Sequence, residues 1–232
     1  MWVPTPDVMV DTMMKLAQVT PDDYVIDLGS GGGRLVIGAA KRGARALGIE
    51  YDDNLVRYAR REAAKAGVAD RAQFRQGDIF ETDFSQATVL TLFLLPDMNV
   101  KLRPKILAMK PGTRVVANYF GIGDWSADES VKLPQRVEPC DSNYCTAYLW
   151  IVPANVNGTW QTARGELVIE QRYQYFKGTL GGTPIENGVV RGEALSFTVA
   201  GVRYSGRAKG DAGDALEGET AGVRWSARRK SQ

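Results

Sequence analysis

The segment from Tyr24 to Asp52 restricts the fold more than any other part of the chain. The apolar run "YVIDL" is followed by the glycine-rich "GSGGG", then by the helical pattern "RLVIGAAKRG" and a second apolar run, "ARALGIE". Strand–helix–strand units of this kind are typical of parallel sheets covered by helices. A glycine loop at a helix N-terminus presents backbone N–H groups to a ligand. The pattern therefore predicts an α/β protein that binds a ligand at this loop.

The same alternation extends on both sides of the loop. A helical pattern precedes it in "DVMVDTMMKLAQV", and three strand-like runs follow in "AQFRQGD", "ATVLTLFLL" and "TRVVANYF". Helical patterns precede the first and the third of these runs, in "DNLVRYARREAAKAG" and "MNVKLRPKILAMKPG". Pro104 is expected near a first turn or a break in the second of these helices. We therefore predict a Rossmann-like, doubly wound, mostly parallel sheet of the seven-stranded type.

The pattern changes after about residue 124. "TAYLWIVP" is typical of one more strand, and short alternating runs separated by glycine pairs follow from Gly158 onward. These runs predict an antiparallel β-meander or small barrel, in which "GDAGDALEGETAG" is a polar loop with a short strand at most. We expect two domains, residues 1–153 and an antiparallel β module at residues 154–232.

Composition excludes several classes of site. The chain of 232 residues has no histidine, which removes the commonest general base and metal ligand, so no metal site is expected. Its two cysteines, Cys140 and Cys145, leave a disulfide and two free thiols equally open. The net charge is only +2 and the basic residues are dispersed, so there is no strong nucleic-acid signal.

The sequence also bears on the compartment. No run of apolar residues is long enough for a transmembrane segment, and the N-terminus lacks the basic and apolar regions of a signal peptide. As written, the chain is expected to be cytoplasmic, and an exported form stays open if a leader was removed.

The loop does not match the common phosphate-binding motifs. Arg34 stands where a dinucleotide fingerprint needs its third glycine, and no G-K-[ST] is present. The loop instead reads D-x-G-x-G-x-G, beginning at Asp27. A carboxylate at the end of the strand disfavours a pyrophosphate and favours a ligand that carries ammonium and sulfonium groups.

With these residues the chain resembles the class I S-adenosylmethionine-dependent methyltransferases, from Val3 to Trp125. The resemblance implies that Asp27 binds the amino group of the cofactor, that Glu50 accepts both ribose hydroxyls and that Asp78 lies beside the adenine. Thr5 and Pro4 are expected to close over the methionine end. The complete set of expected cofactor-binding residues is Thr5, Asp27, Gly29, Ser30, Gly31, Gly33, Glu50, Tyr51, Asp78 and Ile79.

The motifs "VPTP", "DLGSGGGRLVIGAAKRG", "GIEYDDNLV" and "NYFGIGDW" resemble a narrower family. That family contains the mitochondrial lysine methyltransferase of the ATP-synthase c-subunit and its prokaryotic relatives, and the resemblance implies N-methylation of a protein lysine. Two departures stand out. Gly32 replaces the aspartate usual in that family, and the C-terminal meander is absent from the mitochondrial enzyme.

The methyl acceptor is expected beside the loops after the fourth and fifth strands. The fourth-strand loop reads Leu94-Leu95-Pro96-Asp97, not the [DN]-P-P-[YFW] of enzymes that methylate base amines. Expected catalytic residues are an aromatic slot of Tyr119, Phe120 and Trp125, with Asp97 or Asp124 holding the amine or taking its proton; ordinary packing of the aromatic residues stays equally open.

Three functions stay open at this point. The chain is either a methyltransferase for a protein lysine or one that N- or O-methylates a small molecule, with the β module as a specificity element. The third possibility is not an enzyme: either a non-catalytic scaffold that binds the cofactor, or a chain whose meander is the working part and binds a ligand or partner.

Overall fold

The computed structural model describes residues 3–134, 145–209 and 214–230. The chain divides into two compact units. The first comprises residues 1–109 and 113–150, and the second comprises residues 110–112 and 151–232.

The first unit has four helices and a seven-stranded sheet within the described residues. The helices are α1 (Asp7–Leu16), α2 (Arg34–Ala40), α3 (Asp53–Lys65) and α4 (Pro96–Leu107). The strands are β1 (Tyr24–Leu28), β2 (Arg45–Glu50), β3 (Ala72–Gln76), β4 (Val89–Leu92), β5 (Arg114–Asn118), β6 (Glu129–Lys132) and β7 (Thr146–Ile151). Helix α4 begins at Pro96, so Pro104 lies inside it and not at its first turn.

The sheet has the strand order β3-β2-β1-β4-β5-β7-β6. The pairs formed by β1 to β5 are parallel, whereas β6 and β7 are antiparallel. This confirms the predicted Rossmann-like, mostly parallel sheet. The sequence did not predict β6, because its four residues are all exposed and show no apolar alternation. The strand order reverses between β1 and β4, and ligands of such sheets bind at this switch point, outside the carboxyl ends of the strands.

The second unit is a closed antiparallel barrel of eight strands, which confirms the predicted meander or small barrel. Its strands are β8 (Gly158–Thr162), β9 (Gly165–Arg172), β10 (Tyr175–Leu180), β11 (Thr183–Arg191), β12 (Ala194–Val199), β13 (Val202–Lys209), β14 (Ala215–Thr220) and β15 (Val223–Arg229). Strand β14 pairs with β15 along its six residues and with β13 along five of them, so the short strand that the sequence allowed in this polar segment is a full member of the barrel. Closure pairs each of these eight strands on both sides, which protects the backbone groups that an open sheet would expose at its edges.

Two smaller expectations concern the cysteines and membrane spans. Cys145 is buried and disulfide-bonded, whereas Cys140 lies outside the described residues. Within the ranges the structure describes, every helix is too short or too polar to cross a bilayer.

Candidate functional site

The glycine loop lies between β1 and α2 and is held by backbone hydrogen bonds. The N–H groups of Gly29 and Ser30 donate to the carbonyl oxygen of Ile49, at 2.9 and 3.0 Å. Gly33 has φ +83°, and a Cβ there would lie 2.6 Å from the Phe74 ring. Only glycine therefore fits at position 33, and the tight turn keeps the loop close to the end of β2.

Glu50 ends β2 with its carboxylate directed to the same loop. Gly31 N–H donates to Oε2 at 2.8 Å and Asp52 N–H donates to Oε1 at 3.0 Å. Each carboxylate oxygen has lone pairs beyond the one used here. The two backbone donors therefore fix the side chain and leave acceptor capacity on both oxygens.

Asp27, near the end of β1, is buried and lies beside Thr91 of β4, whose Oγ1 donates to Oδ1 at 2.6 Å. Burial raises the pKa of Asp27 to about 7; the hydrogen bond from Thr91 opposes the rise and the charge of Glu50 adds to it. A cationic group bound at Asp27 would favour its ionised form and lower that pKa.

A wide cleft of about 750 Å³ opens beside Glu50. Its walls include Tyr51, Asp78 and Ile79, three of the residues expected to bind the cofactor. Asp78 Oδ1 accepts the N–H of Phe80 at 2.8 Å, and this bond orients the carboxylate. Tyr51 is exposed and Ile79 is buried, so the cleft offers both an exposed aromatic ring and a buried apolar wall.

A narrow pocket of about 300 Å³ adjoins the wide cleft, because Gly29 and Leu94 line both. Asp27, Phe93 and Phe120 also line the narrow pocket, and the two phenylalanine rings are 6.5 Å apart. The remaining lining residues are Val3, Pro4, Thr5, Ser30, Arg34, Leu35 and Leu95. The pocket is thus mostly apolar, with a carboxyl group at one wall.

The N-terminal segment forms part of this pocket. Thr5 is buried, and its carbonyl oxygen accepts a hydrogen bond from Arg34 Nη1 at 3.1 Å. Arg34, the first residue of α2, therefore links the segment to the helix that follows the glycine loop. From the sequence, Arg34 was noted only because it stands where a dinucleotide-binding fingerprint would have its third glycine, and this contact with Thr5 was not predicted.

The expected catalytic residues are not all brought together. The Tyr119 ring is 4.7 Å from that of Phe120, and Tyr119 has a positive φ of 65°. Trp125 is 1% exposed, and its carbonyl accepts the indole N–H of Trp150 at 2.9 Å. Within the described residues, none of the four expected catalytic residues lines the wide cleft or the narrow pocket; they are Asp97, Tyr119, Asp124 and Trp125. Asp97 is exposed in α4, and Asp124 pairs with Arg103.

Asn118, at the end of β5, is a buried polar residue that the sequence analysis did not identify, and it is not among the residues that line the wide cleft or the narrow pocket. Thr91 pairs with Asp27 on β1 and with Val116 on β5. Because side chains alternate along a strand, Asn118 shares a sheet face with Val116, Thr91 and Asp27. Asn118 is 0% exposed, and neither of its amide atoms has a hydrogen-bond partner in the described part of the chain. Because buried amides are normally hydrogen-bonded, Asn118 has donor and acceptor capacity for a water molecule or a ligand.

Asn99 of α4 braces the loops that follow β4 and β5. Its Nδ2 lies 3.5 Å from the Leu94 carbonyl oxygen, 3.4 Å from that of Phe120 and 3.1 Å from that of Gly121. The distance to Gly121 is the best of the three for a hydrogen bond. One buried amide thus links the two loops that supply Leu94 and Phe120 to the narrow pocket.

Gly32, which replaces the aspartate usual in the family, lies away from the wide cleft and the narrow pocket. It lines a separate cavity of about 500 Å³ together with Asp7, Gly38 and Tyr58. It lines neither the wide cleft nor the narrow pocket. The carboxylate that is absent at this position would therefore not lie on the walls of the expected cofactor site.

Comparison with known proteins agrees with this geometry. A family model described as the ANTKMT methyltransferase domain matches residues 27–129. A protein-lysine N-methyltransferase of Saccharolobus islandicus is 43% identical over 154 residues, which cover 65% of this chain and 92% of that protein. The chain belongs to the ANTKMT methyltransferase family.

Two further relatives bear on this ANTKMT-family chain. The crystal structure of an RNA methyltransferase from Salinibacter ruber with S-adenosyl-L-homocysteine is 48% identical, with a TM-score of 0.60, and the match covers 66% of this chain and 96% of that one. The Mus musculus lysine N-methyltransferase of the ATP-synthase c-subunit is 38% identical over 107 residues, 46% of this chain and 43% of that enzyme. The chain is thus an S-adenosylmethionine-dependent methyltransferase, and the family model ends before the barrel.

Proposed function

We propose that the chain transfers the methyl group of S-adenosylmethionine to the side-chain nitrogen of a lysine in a protein. The observation that carries this proposal is the 43% identity to the Saccharolobus islandicus protein-lysine N-methyltransferase, in a match that covers 92% of that protein. The Salinibacter ruber relative matches over an equally large share of its length, so coverage alone does not decide the acceptor. The lysine assignment is supported by the names of two relatives, the lysine N-methyltransferases of Saccharolobus islandicus and Mus musculus.

The narrow pocket supports the same acceptor. A lysine presents a slender aliphatic stem, which suits the mostly apolar walls to which Phe93 and Phe120 contribute. The pocket rim carries Val3 and Leu95, which are 53% and 62% exposed and are available to a protein surface. A free lysine has a pKa of about 10.4, so roughly one in a thousand is neutral at physiological pH, and apolar walls favour the neutral form.

The reaction needs alignment more than proton transfer. The ammonium first loses a proton to solvent; the neutral nitrogen then attacks the methyl carbon from the side opposite sulfur. The N–C bond forms as the C–S bond breaks, so the positive charge passes from sulfur to nitrogen and the cofactor leaves as a neutral sulfide. Holding both reactants in line supplies on the order of 7–11 kcal/mol.

We assign roles to this chain's residues on that basis. Asp27 would hold the cofactor's ammonium group, and Glu50 would accept hydrogen bonds from its ribose. Asp78, with Tyr51 and Ile79, would contact the adenine, while Thr5 would cover the methionine end. The Asn118 carboxamide would accept an N–H of the incoming amine and so direct its lone pair toward the methyl carbon. The catalytic roles expected for Asp97, Tyr119, Asp124 and Trp125 stay predictions.

RNA methylation is the second candidate, since the Salinibacter ruber relative is described as an RNA methyltransferase and is 48% identical. Label transfer separates the two. The chain is incubated with S-adenosylmethionine carrying a tritiated methyl group and a cell extract that contains both soluble and membrane fractions. Parallel samples are treated with protease or with nuclease, and the protein fraction is hydrolysed for amino-acid analysis. Glu50→Ala serves as the control that should transfer no label.

Label recovered as methyl-lysine after hydrolysis, and absent with Glu50→Ala, is the expected result. Label released by nuclease would move the assignment to RNA, and label in small molecules would move it to a metabolite acceptor. No transfer to any fraction, with calorimetric binding of S-adenosylmethionine intact, would overturn the proposal in favour of a non-catalytic scaffold.

A further inference from the structure

The second unit carries a cavity that the methyltransferase family does not account for, because the family model ends at residue 129. The barrel is a run of hairpins, so alternate turns lie at the same end. The β8–β9, β10–β11, β12–β13 and β14–β15 turns share one end, which we call the barrel mouth. A cavity of about 540 Å³ opens there, a size typical of sites for small ligands.

The barrel interior below the mouth is filled by side chains. Trp160, Val190 and Leu216 are all 0% exposed. An eight-stranded barrel is just wide enough for its own side chains or for one small ligand. The filled interior excludes a long acyl or prenyl chain that would thread the barrel, so a ligand of the mouth must be short.

The wall of the mouth is aromatic. The rings of Phe197 and Tyr204 stack with centroids 4.9 Å apart and planes inclined by 6°. Trp225 meets both rings edge-on, at 5.9 and 6.1 Å. A Cβ on Gly206 would lie 2.8 Å from Trp225 Cζ2, so the glycine makes room for the indole. Trp225 is only partly buried, which leaves part of its ring system open to a ligand.

The rim of the mouth is basic. Arg164 donates from Nη1 to the Tyr204 hydroxyl, and its Cζ is 5.7 Å from the Tyr204 ring centroid. This anchoring holds a guanidinium with further N–H donors above the aromatic wall. Arg224 lines the mouth as a second cation, and Glu217 is the only acidic residue in its lining within the described residues.

From these observations we propose that the barrel mouth is a binding site for a small aromatic anion. The flat ring system would pack against Trp225, and a carboxylate or sulfonate on it would pair with Arg164. An arginine held in a fixed orientation favours such bidentate pairing.

A matched pair of probes tests charge and ring recognition together. The full chain is titrated with 1-anilinonaphthalene-8-sulfonate, an aromatic anion, and with N-phenyl-1-naphthylamine, its neutral analogue, following probe fluorescence. Arg164→Gln removes the rim cation. Arg172→Gln is the control, because Arg172 lies over Tyr173 in a similar way, with Cζ 5.9 Å from the ring, but at the opposite end of the barrel.

We expect saturable binding of one anion per chain. R164Q should raise the Kd of the anion at least tenfold, and R172Q should raise it less than twofold. The Kd of the neutral probe should change less than twofold in either variant. The indole N–H of Trp225, which donates to the Ser205 carbonyl at 3.1 Å, gives an NMR signal that Trp225→Phe identifies, and the anion should shift that signal. Non-saturable binding, equal effects of the two arginine variants, or an unmoved Trp225 signal would overturn the proposal.

Discussion

Gly31 N–H donates to Glu50 Oε2 at 2.8 Å, so the carboxylate that ends β2 is anchored to the glycine loop that follows β1. A second backbone donor, Asp52 N–H, holds the other oxygen. The carboxylate is therefore oriented before any cofactor arrives. Preorganisation of this kind lowers the entropy lost on binding.

Removing the Glu50 carboxylate is expected to weaken cofactor binding strongly. Two charge-assisted hydrogen bonds to the ribose contribute about 3 kcal/mol together, so Glu50→Ala should raise the Kd for S-adenosylmethionine on the order of 100-fold. Isothermal titration calorimetry measures the change. Glu62→Ala is the control, since Glu62 pairs with Lys65 on α3, and it should leave the Kd within twofold. Equal Kd values for E50A and the wild type would refute the ribose assignment.

The buried Asp27 predicts a pH dependence of stability. Its pKa is about 7 in the folded chain, against an ordinary value of 3.8, so the unliganded protein should lose stability as pH rises from about 4 to 7. Asp27→Asn should remove that loss, raising the free energy of unfolding at pH 8 by up to about 4 kcal/mol and leaving it nearly unchanged at pH 4. Urea unfolding at both pH values tests this. A variant less stable than the wild type at pH 8 would contradict it.

Substitution of Gly33, in the glycine loop, can be compared with substitution of Gly67, which follows α3, to separate steric overlap from backbone strain. Both have positive φ, +83° and +69°, but a Cβ at Gly33 meets the Phe74 ring at 2.6 Å whereas a Cβ at Gly67 meets nothing within 4 Å. Gly67→Ala should destabilise the chain by about 1 kcal/mol through the backbone alone. Gly33→Ala should cost about 3 kcal/mol because steric overlap adds to it. Equal losses in urea unfolding would show that the Phe74 contact is unimportant.

Replacing the Asn118 amide should separate catalysis from folding. Asn118→Leu removes two buried amide atoms that have no protein partner among the described residues, so stability should be unchanged or higher. We expect the Kd for S-adenosylmethionine to stay within threefold and kcat/KM for methyl transfer to fall at least 100-fold. Single-turnover label transfer with saturating cofactor measures the effect. Undiminished transfer would place Asn118 outside the acceptor site.

Restoring the family's aspartate at position 32 should have little effect. Gly32 lines a cavity separate from the wide cleft and the narrow pocket, so the added carboxylate of Gly32→Asp would not meet the bound cofactor. The Kd for S-adenosylmethionine should change less than threefold by calorimetry. A tenfold gain in affinity would mean that position 32 contacts the cofactor.

Two strands, β6 and β14, and the side chain of Asn118 show which features could not be predicted from the sequence. Strand β6 has only exposed residues, and β14 reads "ALEGET", which has one large apolar residue. Neither strand therefore shows the apolar alternation that marks a half-buried strand. Asn118 lies within a run that the sequence predicts as a strand, but no local signal gave it a role. Its relation to Asp27 depends on the pairing of three strands, which a local pattern does not specify.

The sequence by itself determined the parallel sheet, the glycine loop and the acids at the ends of β1 and β2. Side-chain periodicity and glycine spacing are local properties, and an apolar run flanked by helices has few ways to bury itself. Only the tertiary structure decided which side chains share a cavity. Phe93 and Phe120 meet because β4 and β5 are neighbours, whereas Trp125 packs on Trp150 and away from both cavities. Strand register and loop packing set these contacts between residues distant in the chain, so local sequence periodicity does not predict them.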